Sequence, residues 1–283
     1  MTLKRTISNL APEFLRAKLL FGPEQEALAA VPSIACCADC LPYRRDISLG
    51  AIFDDHEIEA SWTASKSRID IFTIPDGSGG VNPGDRRAIY YLISYFRPSS
   101  VLEIGTHIGA STLHIAAALD MTRISKGEPA SLTTVDVLDV NDAGTAPWQR
   151  SGTDLSPREM VSKLNYGSLV DFVTDTSLDY AANCGRKFDF IFLDGDHSGP
   201  TVYREIPAVL PLLTDHGVIL LHDYFPMLKP LWSDGSVIAG PRLATQRFAK
   251  EKCNFVALPL GALPWPTKCQ SNVTSLALLV RNQ

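Results

Sequence analysis

Five ionisable side chains follow two apolar segments in the second half of the chain. Asp194, Asp196 and His197 follow one segment, and His222 and Asp223 follow the next. If these segments are neighbouring strands, which lie roughly 4.8 Å apart, the two groups of side chains meet. Converging charges are costly unless they are paired, hydrated or bound to a metal ion. The sequence therefore leaves two interpretations: a metal or catalytic centre, or solvated loops that cap the following helices.

A second candidate site is the glycine-containing segment behind an earlier apolar run. Glu103, Gly105 and Gly109 have the spacing E-x-G-x-x-x-G, and an Ala-rich run begins at Ala110. This pattern predicts a strand, a tight turn and a helix start whose free N–H groups face a small ligand. The turn is one residue too open for the dinucleotide fingerprint G-x-G-x-x-G. An acid at Glu103 would also repel a pyrophosphate, whereas it suits a cationic group or a hydroxyl.

Two further acids lie at the ends of the next two predicted strands. Asp136 stands where a carboxylate can accept hydrogen bonds from the ribose hydroxyls of an adenosyl group or of NAD. Asp175 follows the third strand. Each acid taken singly could equally cap the next helix. Acids after three successive strands together favour a nucleotide-type ligand.

The elements that must position these residues alternate regularly from about residue 84. Strands are predicted at Ser100–Ile104, Leu132–Val137, Leu169–Val173, Phe188–Leu193, Gly217–Leu221, Asn254–Leu258 and Ser275–Val280. Helices are predicted at Asp85–Phe96, Ala110–Leu119, Arg158–Asn165 and Thr201–Leu213, and a further helix closes with Thr245–Glu251. Such alternation predicts βαβ units and a doubly wound parallel sheet with helices on both faces. No helix separates the last two strands, which predicts a hairpin-like end.

The first 80 residues differ from the rest, so we divide the chain into an N-terminal helical extension (1–80) and one α/β domain (81–283). Helices are predicted at Pro12–Leu20 and Asp55–Ser65. The extension is expected to pack on the core, to cover the site as a lid, or to form the contact between copies of a homo-oligomer. The segment Asp76–Gly80 predicts a flexible hinge.

Charge and composition exclude several classes of partner. The net charge of −5 argues against nucleic acid as a partner. No apolar run approaches the roughly 18–20 residues that cross a membrane. The six cysteines, three clustered and three scattered, do not suggest a secreted disulfide framework. We therefore expect a cytoplasmic protein that acts on a small molecule.

The segment Glu103-x-Gly105-x-x-x-Gly109 resembles motif I of the class I S-adenosylmethionine (SAM)-dependent methyltransferases. The resemblance implies SAM as cofactor and a Rossmann-like, doubly wound seven-stranded sheet with an antiparallel last strand. In those enzymes an acid in the loop after the third strand commonly meets the adenine amino group, and Asp175 matches that position. The cofactor-binding residues so implied are Glu103, Gly105, Thr106, His107, Gly109, Ser111, Asp136, Asp175, Thr176 and Asp194.

The two later motifs, Leu193-Asp194-Gly195-Asp196-His197 and Leu221-His222-Asp223-Tyr224, resemble metal-dependent O-methyltransferases. The similar group includes macrocin O-methyltransferases and cephalosporin-hydroxylase-like proteins, and the resemblance covers about residues 80–282. It implies a divalent cation, Mg²⁺ or Mn²⁺, on Asp194, His222 and Asp223. It also implies Asp196 as general base, and His197 is the alternative proton acceptor.

One departure from that group concerns the cation. Several relatives carry two acids where this chain has His222 and then Asp223. A histidine ligand shifts the preference from Mg²⁺ toward Mn²⁺, unless His222 is no ligand at all. The expected acceptor is a small-molecule hydroxyl, best on a vicinal diol of a sugar, a glycoside or a catechol-like ring, because two adjacent oxygens chelate a cation.

Other functions stay open at this point. An NAD(P)-dependent oxidoreductase would use the same kind of fold. An iron-dependent oxygenase would use two carboxylates and a histidine, but the parallel α/β order argues against it. A non-catalytic ligand-binding protein on this fold is the last alternative, and the acids after four strands speak against it.

Overall fold

A mixed sheet of seven strands forms the centre of the structure, a computed structural model that describes residues 12–75 and 77–281. The strands are β1 (Ser100–Ile104), β2 (Ser131–Asp136), β3 (Val170–Thr174), β4 (Phe188–Leu193), β5 (Leu213–Leu221), β6 (Phe255–Pro259) and β7 (Ala277–Arg281). Their order is β3-β2-β1-β4-β5-β7-β6. β1 to β5 pair in parallel, whereas β7 runs antiparallel to both β5 and β6. The predicted doubly wound sheet with an antiparallel last strand is confirmed.

The described helices cover both faces of this sheet. They are α1 (Glu13–Ala29), α2 (Leu49–Phe53), α3 (His56–Ile69), α4 (Pro83–Phe96), α5 (Ala110–Lys126), α6 (Pro147–Arg150), α7 (Pro157–Lys163), α8 (Ser177–Asn183), α9 (Gly199–Val209) and α10 (Gly240–Lys250). α3, α4 and α5 pack together on one face, and α1, α9 and α10 pack together on the other. None of the helices in the described part of the chain is long and apolar enough to cross a membrane.

Alternate residues of the central strands fill the two cores. Val101, Phe190 and Phe192 belong to the core under α4 and α5. Leu102 and Ile191, which are their neighbours in sequence, belong to the core under α9 and α10. Successive side chains of a strand point to opposite faces, so strands that are buried on both sides must be apolar throughout. This constraint explains why the strands can be recognised in the sequence as apolar runs.

The predicted boundaries differ most around the fifth strand. The helix predicted at Thr201–Leu213 ends at Val209, and a 3₁₀ turn over Leu210–Leu212 leads directly into β5. Pro211 explains the early end, because proline has no N–H to continue the helical hydrogen bonds. β5 then begins at Leu213 instead of Gly217, since its first residues are polar and gave no strand signal.

The N-terminal extension packs against both faces of the domain. On one face, the Arg247 guanidinium of α10 donates hydrogen bonds to the carbonyls of Leu28 and Val31 at the end of α1. On the other, Trp62 of α3 stacks on His114 of α5, with 5.5 Å between the ring centroids. Residues 1–11 of the extension and Asp76 of the predicted hinge lie outside the described residues.

Gly105 allows the ends of β1 and β4 to meet. It has a φ of +99°, and a Cβ there would overlap the carbonyl oxygen of Asp194. The Asp194 N–H donates to the carbonyl of Ile104 at 2.9 Å, so the two chains stay paired just beyond the strands. Gly105 is therefore required by the backbone contact that positions Asp194.

We expect Gly105→Ala to lower the free energy of unfolding by about 3 kcal/mol or more, because backbone strain and the overlap with Asp194 add together. Gly127→Ala is the matched control. Gly127 also has a positive φ (+68°), but no described atom lies within 4 Å of its missing Cβ. The control should lose only about 1 kcal/mol. Urea unfolding of both variants checks this, and equal losses would contradict the close-approach explanation.

Candidate active site

A cavity of about 500 Å³ opens beyond the carboxyl ends of the parallel strands. β1 lies between β2 and β4, so the order of the strands reverses there, and this is where doubly wound sheets bind ligands. The segment Gly79–Val81 and the loops after β1 to β5 line the cavity. The described helices that precede α4 contribute no lining residue.

Asp136 organises the loop after β1. Its Oδ2 accepts the backbone N–H groups of Thr106 at 3.1 Å and His107 at 2.9 Å, and its Oδ1 accepts the N–H of Leu138 at 3.0 Å. The predicted ribose acceptor thus also fixes the first loop. It lines the cavity, and a carboxylate has further lone pairs for a ligand.

Glu103 lies beneath the cavity instead of in its wall. It is fully buried, and its carboxylate accepts the hydroxyls of Ser111 at 2.6 Å, Thr112 at 2.6 Å and Thr134 at 2.7 Å. The sequence predicts that Glu103 contacts the cofactor. Glu103 is not among the residues that line the cavity, because β1 alternates and places it under the first turn of α5, where it holds the loop from below.

Burial also changes the charge that Glu103 carries. Burial raises its pKa to about 7, although the three hydroxyl donors act in the opposite direction. A carboxylate without a cationic neighbour is costly in such surroundings. Glu103 is therefore close to half-protonated at neutral pH.

Thr176, and not Asp175, caps the helix after β3. The Thr176 hydroxyl oxygen accepts the N–H of Asp179 at 3.1 Å at the start of α8. Asp175 accepts the N–H of Thr176 at 2.8 Å and lines the cavity. Thr176 therefore caps α8, and Asp175 is one of the residues that line the cavity.

All but one of the other predicted cofactor residues also lie at the cavity. The lining includes Gly105, Thr106, His107, Ser111, Thr176 and Asp194. Gly109 is not among the lining residues. It has a φ of +74°, and a Cβ on it would lie 2.9 Å from Cβ of Pro157, so it allows α5 to pack against the start of α7.

The cavity wall is strongly acidic. Its acidic members are Asp136, Asp175, Asp194, Asp196, Glu205 and Asp223. None of the described lining residues is a lysine or an arginine. Walls of a single sign focus the field within a cleft. Such a cavity attracts cationic ligands and repels phosphates.

The two histidines and two of the aspartates meet at one end of the cavity, because β4 and β5 end level: Leu193 pairs with Leu221. Nδ1 of His222 hydrogen bonds with Oδ1 of Asp194 at 2.6 Å. Nε2 of His197 lies 3.3 Å from Oδ2 of Asp223 and 3.8 Å from Oδ1 of Asp194. The predicted convergence of the two loops is therefore observed.

His222 is buried among carboxylates. Burial alone would lower its pKa, but Asp194 and Asp223 outweigh burial and hold the pKa well above the ordinary value of 6.5. Its Nε2 faces Oδ2 of Asp85 at 3.5 Å. In the absence of a cation, the ring accordingly carries a positive charge that offsets part of the surrounding negative charge.

The carboxylate of Asp196, predicted to be the general base, is already occupied by hydrogen bonds. Its carboxylate accepts the N–H and the hydroxyl of Ser198, at 3.1 and 2.8 Å, and the hydroxyl of Thr201 at 2.6 Å. Burial acts to raise its pKa, but the hydrogen bonds from Thr201 and Ser198 outweigh burial and lower it. Asp196 thus stabilises the start of α9, and its three hydrogen bonds make it a weak proton acceptor.

The donor set suits a divalent cation. One ligand atom each from Asp194, His197 and His222 lies within 4.8 Å of the others. Asp223 borders this set through both histidines, since its Oδ1 lies 3.7 Å from Nδ1 of His222. Mixed imidazole and carboxylate donors suit Mn²⁺ or another transition metal better than Mg²⁺. The sequence predicts Asp223 in this set and assigns His197 only to proton transfer, whereas the structure brings all four together.

Two buried acids at the site were not predicted from the sequence. Asp85 lies in the first turn of α4 behind Asn82, where an acid is normally explained as part of a helix start. Glu205 of α9 lines the cavity, and burial raises its pKa to about 7. Neither follows a strand, so nothing in the sequence marked them as site residues.

Comparisons with known proteins agree with this arrangement. Residues 102–224 match the sequence profile of a family described as a methyltransferase domain. No curated protein matches the sequence. The matched region begins within β1 and ends just after Asp223. It therefore contains the glycine-containing segment after β1 and the two acidic motifs after β4 and β5.

Solved structures share the fold at low identity. A protein from Klebsiella pneumoniae designated an O-methyltransferase is 18% identical, with a TM-score of 0.51 over 81% of this chain and 91% of that one. The cofactor-bound protein Rv0187 from MTB is 19% identical, with a TM-score of 0.50 over 85% and 97%. These likenesses support the fold and leave the substrate undetermined.

We expect the raised pKa of Glu103 to make the free energy of unfolding depend on pH. Because its pKa rises from 4.5 to about 7 on folding, the folded protein binds this proton more tightly. Stability is therefore lost as the pH rises from about 4.5 to about 7, by at most roughly 3 kcal/mol. Glu103→Gln removes this loss, so its unfolding free energy relative to the wild type should increase between pH 5 and pH 7.5.

Urea unfolding at the two pH values measures the difference. Glu159→Gln is the control, because hydrogen bonds from Ser156 lower the pKa of Glu159 and its contribution has the opposite sign. Parallel profiles for Glu103→Gln and the wild type would show that Glu103 does not titrate with folding.

Proposed function

We propose that the protein is a class I SAM-dependent methyltransferase that transfers the methyl group to a hydroxyl of a small molecule with the help of a divalent cation. The observation that carries the proposal is the cluster of Asp194, His197, His222 and Asp223 at one end of the cavity. The cofactor would occupy the other end, between the loops after β1, β2 and β3.

The charge of the cavity supports SAM and disfavours NAD(P). SAM carries a positive sulfonium and an ammonium group, whereas the dinucleotides carry a pyrophosphate. A wall with six acids and, among its described residues, no lysine or arginine favours the cationic ligand. Asp136 and Asp175 lie at the ends of β2 and β3, where they would meet the ribose and the adenine.

The cation would be held by Asp194, His222 and Asp223. A divalent ion held there would supply Lewis-acid activation of the acceptor hydroxyl. The carboxylates of Asp194 and Asp223 supply negative charge beside His222, at 2.6 and 3.7 Å from its Nδ1. The imidazole must give up one proton to act as a ligand, so proton and cation compete for this site.

His197 would take the proton of the acceptor hydroxyl. Its side chain is 30% exposed, compared with 10% for His222, so it is the histidine that a substrate can reach. Asp223 lies 3.3 Å from its Nε2 and can orient the ring. Asp196, which the family resemblance favours for this step, is held by Ser198 and Thr201 instead.

The proposed acceptor is a vicinal diol. The two adjacent oxygens of a diol would offer the divalent cation two ligand atoms instead of one, which would fix the orientation of the acceptor. Positioning of this kind supplies much of the acceleration of such a reaction. A catechol-like ring and a sugar diol both fit this requirement.

We expect methyl transfer from SAM to a catechol to depend on Mn²⁺ or Mg²⁺. EDTA should lower the rate at least about 100-fold, and added Mn²⁺ should restore it, because the uncharged hydroxyl is a weak nucleophile. A phenol with a single hydroxyl is the matched substrate control and should react more slowly. Asp194→Asn should weaken Mn²⁺ binding in calorimetry. Equal rates with and without EDTA would rule out the role of the cation.

The proton acceptor can be assigned by two neighbouring substitutions. His197→Gln should lower kcat about 100-fold or more, the usual loss of a general base. Asp196→Asn should change kcat less than about tenfold, because its carboxylate serves the start of α9. Mn²⁺ affinity is measured on both variants, so that a lost ligand is not mistaken for a lost base. The reverse order of the two kcat losses would assign the base to Asp196.

A further inference from the structure

Asp85 is a buried acid with an incomplete set of partners. It lies on α4, outside the matched residues 102–224, and is fully buried. The Asn82 side-chain amide donates to its Oδ2 at 2.8 Å. Its Oδ1 has no hydrogen-bond partner among the residues that the structure describes. Burying a carboxylate oxygen without a hydrogen-bond partner costs free energy. The groups that the carboxylate of Asp85 faces therefore indicate what it does.

Asp85 points toward the histidine at the end of β5. Nε2 of His222 lies 3.5 Å from Oδ2 of Asp85 and has no hydrogen-bond partner among the described residues. The opposite nitrogen, Nδ1, faces Asp194 at 2.6 Å. The ring of His222 therefore bridges a carboxylate behind the site and the carboxylates that face the cavity.

Ser275 connects the same groups from a third element. It lies just before β7, and its hydroxyl is 3.3 Å from Oδ2 of Asp85 and 3.4 Å from Oδ1 of Asp223. Asp85, His222 and Asp223 are thus held by α4, by the loop after β5 and by the residue before β7. Because these elements are packed, the ring has little freedom to turn.

We propose that Asp85 is a positioning residue that accepts the Nε2–H of His222 and thereby presents the Nδ1 lone pair to the divalent cation. This inference rests on the proposed function, since it concerns the same cation. A ligating histidine whose second ring nitrogen donates to a carboxylate has a fixed tautomer and orientation, and loss of the carboxylate typically costs about 10–100-fold in metal affinity. Asp85 itself never contacts the cation or the substrate.

The first measurement is the affinity for Mn²⁺, by calorimetry on the full chain. Asp85→Ala should bind Mn²⁺ about 10–100-fold more weakly than the wild type. Asp85→Asn should fall between them, because its amide oxygen still accepts a hydrogen bond and its shape is conserved. Asp120→Asn, a buried acid of α5 that pairs with Arg123, is the control and should match the wild type. SAM affinity should stay within about twofold in every variant.

The second measurement reports the tautomer directly. In ¹H–¹⁵N spectra of the Mg²⁺-loaded wild type, His222 should carry its hydrogen on Nε2, with the signal assigned by its absence in His222→Gln. In Asp85→Asn at the same Mg²⁺ concentration, a smaller fraction of His222 should carry its hydrogen on Nε2 alone, because less of the cation is bound at Nδ1. A merely structural role for Asp85 would lower stability without altering this signal.

The possible results separate the two proposals. If the wild type binds Mn²⁺ and both Asp85 variants bind it equally well, the inference about Asp85 is overturned while the cation site stands. If the wild type itself binds neither Mn²⁺ nor Mg²⁺, the cation role in the proposed function fails, and the inference fails with it. If Asp85→Ala does not fold, Asp85→Asn alone decides.

Discussion

Hydrogen bonds that continue the sheet by one residue past the strand ends hold the site together. The N–H of Gly105 donates to Val135, that of Asp194 donates to Ile104, and that of His222 donates to Leu193. These bonds make the loops after β1, β4 and β5 start at one level. They fix the backbone from which the ionisable side chains project, and Gly105 permits this because it leaves room for the Asp194 carbonyl.

The charge balance of the cavity follows from that geometry. Parallel strands end at one edge, so the acids that follow successive strands face the same space. Their repulsion is offset here by the positive charge on His222 and by hydrogen bonds such as those to Asp196. A cationic cofactor and a divalent ion would offset it further. The same convergence of acids that makes the site costly to build is the basis for the proposed preference for cations.

Several acids hold the loops and side chains that form the cavity. Glu103 holds the first turn of α5 from below, and Asp136 fixes the loop after β1. Asp85 faces the far side of His222 from α4. A carboxylate without partners would be unfavourable at each of these positions. Each of the three carboxylates faces loop N–H groups, hydroxyls or an imidazole ring, and it helps to orient them. The positions of the groups that line the cavity therefore depend on these three carboxylates.

The sequence alone determined the order of the elements and the edge of the sheet where the chemistry lies. Strands buried on both faces must be apolar, and β1 and β4 were predicted to the residue for that reason. The tertiary structure alone decided which side chains enter the cavity. Strand alternation buried Glu103, hydrogen bonds to α9 engaged Asp196, and helix packing brought Asp85 to His222. These outcomes depend on contacts between residues far apart in the chain, so spacing within the sequence could not reveal them.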